Sequence, residues 1–314
     1  MDKLTAMATF GAVVEAGSFT RAAERLSIPK ARVSQRISDL ERHLGARLLQ
    51  RTTRSLNLTE DGRAYYSKCA SILQQVDELE ATLRGGLVEP RGSLRIEALA
   101  SVARWVLAPR LHEFQRRYPQ LTLTLCASDR VSHLLEEGID CAIRGGTLPD
   151  SSLVARHACD VRLGLYAAPG YLEDAGNARH PRELREHRRL SWFTGQRNPF
   201  AWKLESTDGS FDLGASQGLR FDDPDVAIAS CLAGSGICPA APFAVESWVR
   251  AGALVPVLPQ WSFAPRPIHL VYPGDRHLSA RVRCFVDWAL ELMRQSPSLS
   301  MSPQELAGNT AGRE

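Results

Sequence analysis

The hydrophobic residues of this chain change their period once. Up to Leu83 they recur every three or four positions; from Leu94 onward short alternating runs take over, separated by helical stretches. Gly85-Gly86 and Pro90-Arg91-Gly92 lie between the two regimes and interrupt any helix or strand that would cross them. A helical N-terminal part and an α/β C-terminal part are therefore expected, and 314 residues allow two domains. With 44% hydrophobic and 23% charged residues, wholesale disorder and a fibrous repeat are excluded.

The N-terminal part reads as short helices with clear punctuation. Leu4, Met7, Phe10, Val13 and Val14 fall at helical spacing, and Gly17-Ser18 ends that run. Ser18 is an N-cap for a helix over 19–26, and Ser27-Ile28-Pro29 separates it from the next. That next helix has its apolar face at Val33, Ile37, Leu40 and Leu44. Residues 49–58 read as a small two-stranded wing with Arg51 and Arg54 at its middle. Thr59 caps the following helix, with Glu60 and Asp61 in the first turn, where the dipole favours negative charge. Its residues Tyr65, Cys69, Ile72, Val76, Leu79 and Leu83 alternate at spacings of four and three, the seam of a dimerising coiled coil. A helix packed on its own domain is the alternative.

Two helices joined by a tight turn over 19–38 have helix-turn-helix character. Opposite the Val33 face lie Ala31, Gln35, Ser38 and Arg42, flanked by Arg32, Ser34 and Arg36, with Lys30 at the start. Gln bonds adenine bidentately, Arg bonds guanine, and Ala touches a thymine methyl. Residues 21–58 carry nine basic and three acidic side chains, while the whole chain carries a net charge of only +3. Basic charge is thus concentrated where DNA needs it, and Arg51 and Arg54 are placed for phosphates or the minor groove. A solvated amphipathic helix pair is the bland alternative.

Beyond residue 92, runs at 94–96, 121–126, 139–143, 161–167 and 268–272 read as strands, and 102–118, 131–137, 225–233 and 279–293 as helices, the first of these kinking or restarting at Pro109. Mostly parallel strands are expected. The uncharged stretch 226–245 contains Gly234, Gly236, Pro239 and Pro242, so it reads as a buried helix, strand and turn, not a membrane span. Composition makes 296–314 a disordered tail.

Seven widely spaced cysteines without C-x-x-C read as reduced thiols in a cytoplasmic protein, and the N-terminus lacks a signal peptide's apolar core. Eight histidines without H-x-H or H-E-x-x-H give no metal site. No nucleophile motif is complete and no cofactor motif is present, so no enzyme is expected. The basic run at 179–189 reads as a solvated helix.

Phe19-Thr20-Arg21-Ala22-Ala23-Glu24-Arg25-Leu26, Val33-Ser34-Gln35-Arg36-Ile37-Ser38-Asp39-Leu40-Glu41, Leu44-Gly45-Ala46-Arg47-Leu48-Leu49, Arg51, Arg54 and Leu58-Thr59-Glu60-Asp61-Gly62 closely resemble the winged helix-turn-helix of LysR-type transcriptional regulators. Tyr118-Pro119, Glu137-Gly138-Ile139-Asp140-Cys141-Ala142-Ile143-Arg144, Leu148-Pro149-Asp150-Ser151-Ser152-Leu153 and Leu254-Val255-Pro256-Val257-Leu258-Pro259 look like that family's effector domain. One departure is Pro29, where the family often has Ser: proline offers no capping side chain, though a first turn tolerates it.

The resemblance implies an all-α winged helix-turn-helix domain at 1–59, a dimerising linker helix and hinge at 60–90, and an α/β effector domain at 91–295. That domain has the two-lobe periplasmic-binding-protein type 2 fold, with crossovers near 163–166 and 265–268. Ligands gather at the carboxyl ends of such strands. That points to Leu99, Ala100 and Ser101, to Ser128 with Asp129, and to Arg144 and Gly145; the second lobe contributes Phe200, Trp202 and Pro239. Hydroxyls, an Arg and aromatics suit a small aromatic or other carboxylate, although an ion pair for Arg144 and core packing for Trp202 are alternatives. The expected partners are double-stranded promoter DNA, a small-molecule effector, further copies of the chain as a dimer of dimers, and RNA polymerase, with no membrane and no cofactor. Effector binding is expected to close the cleft and rearrange the dimers. A solute-binding module and an enzyme on the two-lobe fold are the rival classes.

Overall fold

The computed structural model describes residues 1–51, 56–83, 89–130, 134–148, 153–194, 198–199, 201–216, 218–274 and 278–311. The chain divides into two compact units, Met1–Glu89 and Pro90–Glu314.

In the first unit the local signals set the helix ends. Helix α1 (Lys3–Ala16) starts on the Asp2 side chain and stops at left-handed Gly17. Ser18 Oγ accepts the Thr20 amide to start α2 (Phe19–Leu26). Helix α3 (Lys30–Leu44) begins at Pro29, which supplies no side-chain cap, and ends at left-handed Gly45. The apolar faces of the three meet in one core, in which Phe10, Val13, Ala22, Val33, Ile37 and Leu40 are buried. The wing is an antiparallel pair, β1 (Leu49–Arg51) and β2 (Leu56–Leu58), with Leu49 opposite Leu58. Thr59 Oγ1 accepts the Gly62 amide at 2.9 Å, capping the 24-residue linker helix α4 (Glu60–Leu83). At 1.5 Å per residue α4 is about 36 Å long.

In the second unit the first lobe is a five-stranded sheet. Its spatial order is Leu121–Ala127, Gly92–Ala98, Cys141–Gly145, Arg266–Pro273, Leu153–Val161. The first three strands are parallel, but Arg266–Pro273 runs antiparallel to both of its neighbours. The expectation of mostly parallel strands is corrected here. The chain leaves this lobe after Val161, builds the second, and re-enters beside its point of exit, with Arg266 opposite Val161, so its returning strand points the other way. The crossings are residues 162–163 and 264–265, tied where the Phe263 amide donates to the Leu163 carbonyl at 3.1 Å.

The second lobe holds three-stranded sheets, among them Gly164–Ala167 between Cys238–Ala240 and Val255–Val257. The uncharged stretch forms helix Pro224–Leu232, strand Cys238–Ala240 and the start of helix Pro242–Arg250. Among the described residues no helix is long and apolar enough to cross a membrane. Pro109 opens a 3-10 turn, Ala108–Arg110, after a π-helical turn, Ala103–Leu107. The basic run 179–189 forms only a 3-10 turn, Pro181–Arg185.

The tail expected to be disordered is helical over Pro297–Ser300 and Pro303–Ala311, with Leu299 and Leu306 each 1% exposed. Ser302 and Glu305 cap each other: the Glu305 amide donates to Ser302 Oγ at 3.1 Å and the Ser302 amide to Glu305 Oε2 at 2.7 Å. Low-complexity composition misled because two buried leucines and one capping box outweigh it.

Candidate nucleic-acid interface and effector cleft

Helix α3 buries Val33, Ile37 and Leu40 and therefore turns Lys30, Ala31, Arg32 and Gln35 outward, all exposed; Ser34 and Ser38 are half-buried beside them. Asp39 organises this surface: its Oδ1 accepts from Gln35 Nε2 at 3.0 Å and from Arg42 Nη1 at 2.7 Å. Gln35 is thus held along the helix by Asp39. Arg36 is half-buried and leans on α1, donating to Thr9 Oγ1 at 3.4 Å. The Asp2 carboxyl sits below its usual range, chiefly because Thr5 donates to it, with Arg36 adding a smaller attraction. Arg36 thus engages its own domain. Arg51 lies in β1, and Arg54 falls outside the described residues.

Sequence reasoning missed Glu41, whose Oε1 accepts the amides of Leu48 and Leu49 and so fixes the wing to α3. An acid on a basic surface was the available signal.

The expected dimer seam is divided. Tyr65 packs on Phe10 with ring centroids 5.8 Å apart, and Cys69 is buried. Burial, then the hydrogen bond with Cys69, pushes the Tyr65 hydroxyl up to about 12. These two residues belong to the core of their own unit, so their assignment to a partner-facing seam is corrected. Ile72 is 41% exposed and Val76 half-buried. The side chains of Leu79 and Leu83 lie outside the description.

In the second unit, the carboxyl ends of the first-lobe strands bring several expected residues together. The Ala100 amide donates to Asp129 Oδ1 at 2.9 Å, and the Ser128 amide to the Ala98 carbonyl at 2.9 Å. Leu99 and Gly145 are half-buried and adjacent: a Cβ on Gly145 would lie 3.0 Å from Leu99 Cδ1. Arg144 forms a salt bridge to Glu97, with side chains 12% and 6% exposed, and Nη1 donates to the Arg130 carbonyl at 3.0 Å. Arg144 is therefore the ion-paired residue of the alternative reading. Asp129 faces Arg266 at the returning crossover; burial raises the acid and lowers the base.

Ser101 reaches across to the second lobe. Its hydroxyl donates to Asp225 Oδ1 at 3.3 Å, and the Trp105 indole N–H donates to the same oxygen at 2.8 Å. Arg104 lies 2.8 Å from Asp225 Oδ2. The Asp225 side chain is 4% exposed, and burial raises its carboxyl against the pull of Trp105 and Arg104. Asp225 stands in the first turn of Pro224–Leu232, where Asp223 accepts its amide at 2.7 Å. Trp105 also packs edge-on to Trp248 of the second lobe at 5.2 Å. The sequence showed a helix over 225–233 but not the partner that Asp225 meets.

Of the second-lobe candidates, Trp202 is 0% exposed and packs against Phe263, with Arg189 stacked 5.4 Å over its ring. Pro239 is buried in the strand paired with Leu165. Both are core residues, not cleft walls, and Phe200 lies outside the described residues. An open pocket of about 410 Å³ lies elsewhere in the second lobe, between Asn177–Arg179 and Pro256–Gln260. All seven cysteines are free, and among the described residues no group of His, Cys, Asp and Glu could hold a metal.

Residues 4–63 match the family described as bacterial regulatory helix-turn-helix protein, lysR family, and residues 88–294 match the LysR substrate binding domain. An HTH-type transcriptional repressor of Pseudomonas aeruginosa strain UCBPP-PA14 is 62% identical over 308 residues, spanning 98% of this chain and 97% of its own. The solved structure of CrgA, a LysR-type transcriptional regulator from Neisseria meningitidis, is 33% identical, with TM-score 0.59, over 92% of this chain and 98% of that one. The full-length structure of the Vibrio cholerae virulence activator AphB is 29% identical, with TM-score 0.58, over 92% and 99%.

Proposed function

The chain belongs to the LysR family of helix-turn-helix transcriptional regulators, and from that premise we propose that it is a cytoplasmic repressor that occupies a near-palindromic promoter site until a small molecule binds between the lobes. What carries the reading is the α3 surface. Lys30, Ala31, Arg32 and Gln35 stand exposed on one helix within a segment holding nine basic and three acidic side chains. A helix of this kind enters the major groove, and paired copies read half-sites one helical turn apart or a multiple of it. Gln35 reads a base, while Lys30, Arg32 and the wing residues Arg51 and Arg54 hold phosphates. The chain acts as a dimer of dimers, paired through the half of α4 that carries Ile72 and Val76, and repression follows from denying RNA polymerase the promoter. The relative named as a repressor supports that sign of control. The effector is a small carboxylate received near Ser101, and its binding acts because it favours one arrangement of the lobes over the other.

The experiment is a footprint of the purified protein on the intergenic DNA beside its own gene, repeated across salt concentrations. A protected near-palindrome that survives moderate salt is expected. Weak protection of every sequence, lost together as salt rises, would overturn the reading.

A further inference from the structure

The chain crosses between the lobes at residues 162–163 and 264–265, and a third time over residues 296–302. Helix Ala280–Arg294 lies on the first-lobe sheet, and Ser296 Oγ donates back to its Leu292 carbonyl at 2.8 Å. The next turn, Pro297–Ser300, lies against both the first-lobe strand Leu153–Val161 and the second-lobe helix Pro242–Arg250. Helix Pro303–Ala311 then lies on the second lobe, against Pro242–Arg250 and strand Val255–Val257. Leu299 enters the core that holds Cys159 and Val161, and Leu306 the one that holds Tyr166 and Val245. This third passage lies beyond residue 294, where the match to the LysR substrate binding domain ends.

The passage sits on the hinge. A Cβ on Gly164, the first residue after the outgoing crossing, would lie 2.6 Å from both Cβ and Cγ of Pro303, and 3.0 Å from the Tyr166 hydroxyl oxygen. Pro303 thus seats on the backbone of the crossing, where only glycine leaves it room. Its place is fixed by the reciprocal Ser302–Glu305 bonds and by a ring that presets the first helical turn. Tyr166 is 0% exposed, and among the described residues its hydroxyl has no hydrogen-bond partner. A hydroxyl buried unpaired is unfavourable, and water relieves it. Two contributions therefore oppose each other: Leu299 and Leu306 hold the segment down, and the Tyr166 hydroxyl favours its release.

We propose that residues 296–311 are a strap that ties the two lobes across their hinge, closed over Tyr166, and that it opens as a unit to let the lobes move. Release acts through Pro242–Arg250, the helix on which both strap helices lie. That helix carries Trp248, which packs edge-on to first-lobe Trp105 at 5.2 Å. Freed from the strap, it loses part of its packing, and the contact between the lobes loosens with it. The proposal holds whatever the domain receives between its lobes.

The test is hydrogen exchange on the full-length protein and its variants. Gly164→Ala puts a methyl group where Pro303 sits. Exchange in Pro303–Ala311 is expected to speed about tenfold, and with it exchange of the Phe263 amide at the hinge and of Ala103–Leu107 in the first lobe, while strand Gly92–Ala98 keeps its rate. Tyr166→Phe removes the unpaired hydroxyl and keeps the ring, so exchange in Pro303–Ala311 slows by a similar factor. A tyrosine that only fills the core gives no such slowing. In a Pro303→Gly background Gly164→Ala has little further effect, because the ring it meets is gone. Unchanged exchange in Pro303–Ala311 for Gly164→Ala overturns the proposal. So does a freed Pro303–Ala311 that leaves Phe263 and Ala103–Leu107 as they were, since the segment then ties nothing. Unchanged or faster exchange in Tyr166→Phe overturns it too. Should Gly164→Ala lose its fold, with exchange fast throughout, Leu306→Ala takes its place and must speed the same three segments. Loss of the promoter footprint counts against the repressor reading and leaves these rates standing.

Discussion

Glu41 on the recognition helix accepts the backbone amide of Leu48 at 2.8 Å, and the same oxygen accepts Leu49 at 3.2 Å. One carboxylate thus sets where the wing departs from the helix. Glu41→Ala strands two partly buried N–H groups, each costing about 1–3 kcal/mol. The urea midpoint of the first unit is expected to fall, and promoter affinity with it. Glu41→Gln keeps an acceptor and recovers most of the loss in both measurements.

Base reading and phosphate holding separate cleanly by substitution. Gln35→Ala is expected to cost about 1–3 kcal/mol on the cognate site and almost nothing on random DNA. Arg51→Ala weakens binding to every sequence and lowers the slope of log affinity against log salt by about one. Binding isotherms on both DNAs across salt report the two effects. Equal loss on cognate and random DNA for Gln35→Ala would remove its role.

Two glycines predict opposite outcomes for the same change. A Cβ on Gly62 would lie 2.0 Å from the Leu48 carbonyl oxygen, which also accepts the Thr59 amide. Gly62→Ala therefore forces the linker helix off the wing, at about 1–3 kcal/mol. Gly170, in the first turn of Pro169–Ala175, has open space around it. Gly170→Ala is expected to stabilise by about 0.4–1 kcal/mol through the unfolded chain. Thermal melts of the two variants should move in opposite directions.

The end of the chain is structural. Ending it at Gln295 removes Leu299 and Leu306, each 1% exposed, and a buried Leu cut back to Ala alone costs about 2–5 kcal/mol. The shortened protein is expected to lose cooperative melting of its second unit. Leu306→Ala lowers the melting temperature without abolishing the transition.

Acid should loosen the second unit through two histidines. Burial is the first cause lowering both His187 and His269, with His157 adding to it at His269. The folded chain then binds fewer protons than the unfolded one just below pH 6.5, so stability falls as pH drops through that value. The double variant His187→Gln/His269→Gln is expected to show a flatter urea midpoint between pH 7 and 6. A slope equal to that of the unsubstituted protein would assign the dependence to other groups.

What was legible in the sequence was what local chemistry decides. Ser18 and Thr59 cap where their positions suggest, and the spacing of Val33, Ile37 and Leu40 orients α3. The crossovers fall within a few residues of expectation. Apolar periodicity did not distinguish which partner a face meets, so Tyr65 and Cys69 passed for a dimer seam. Nor did it separate core from cleft, so Trp202 and Pro239 passed for ligand contacts. Asp225 meets Trp105 across 120 residues of sequence, and no local pattern carries that pairing. The Ser302–Glu305 box is a local signal, and its reciprocal bonds outweigh the Ser, Pro and Gly content around it.

The order of strands in the first lobe has a consequence for biosynthesis. Arg266–Pro273 lies between Cys141–Gly145 and Leu153–Val161, so a gap stays open in that sheet until the ribosome has made the intervening second lobe. Leu306 joins the second lobe's core only after every named strand of both lobes has been made. The helix-turn-helix unit, by contrast, has its described core residues by Cys69. A nascent chain therefore presents a complete helix-turn-helix unit well before the domain that follows it can close its core.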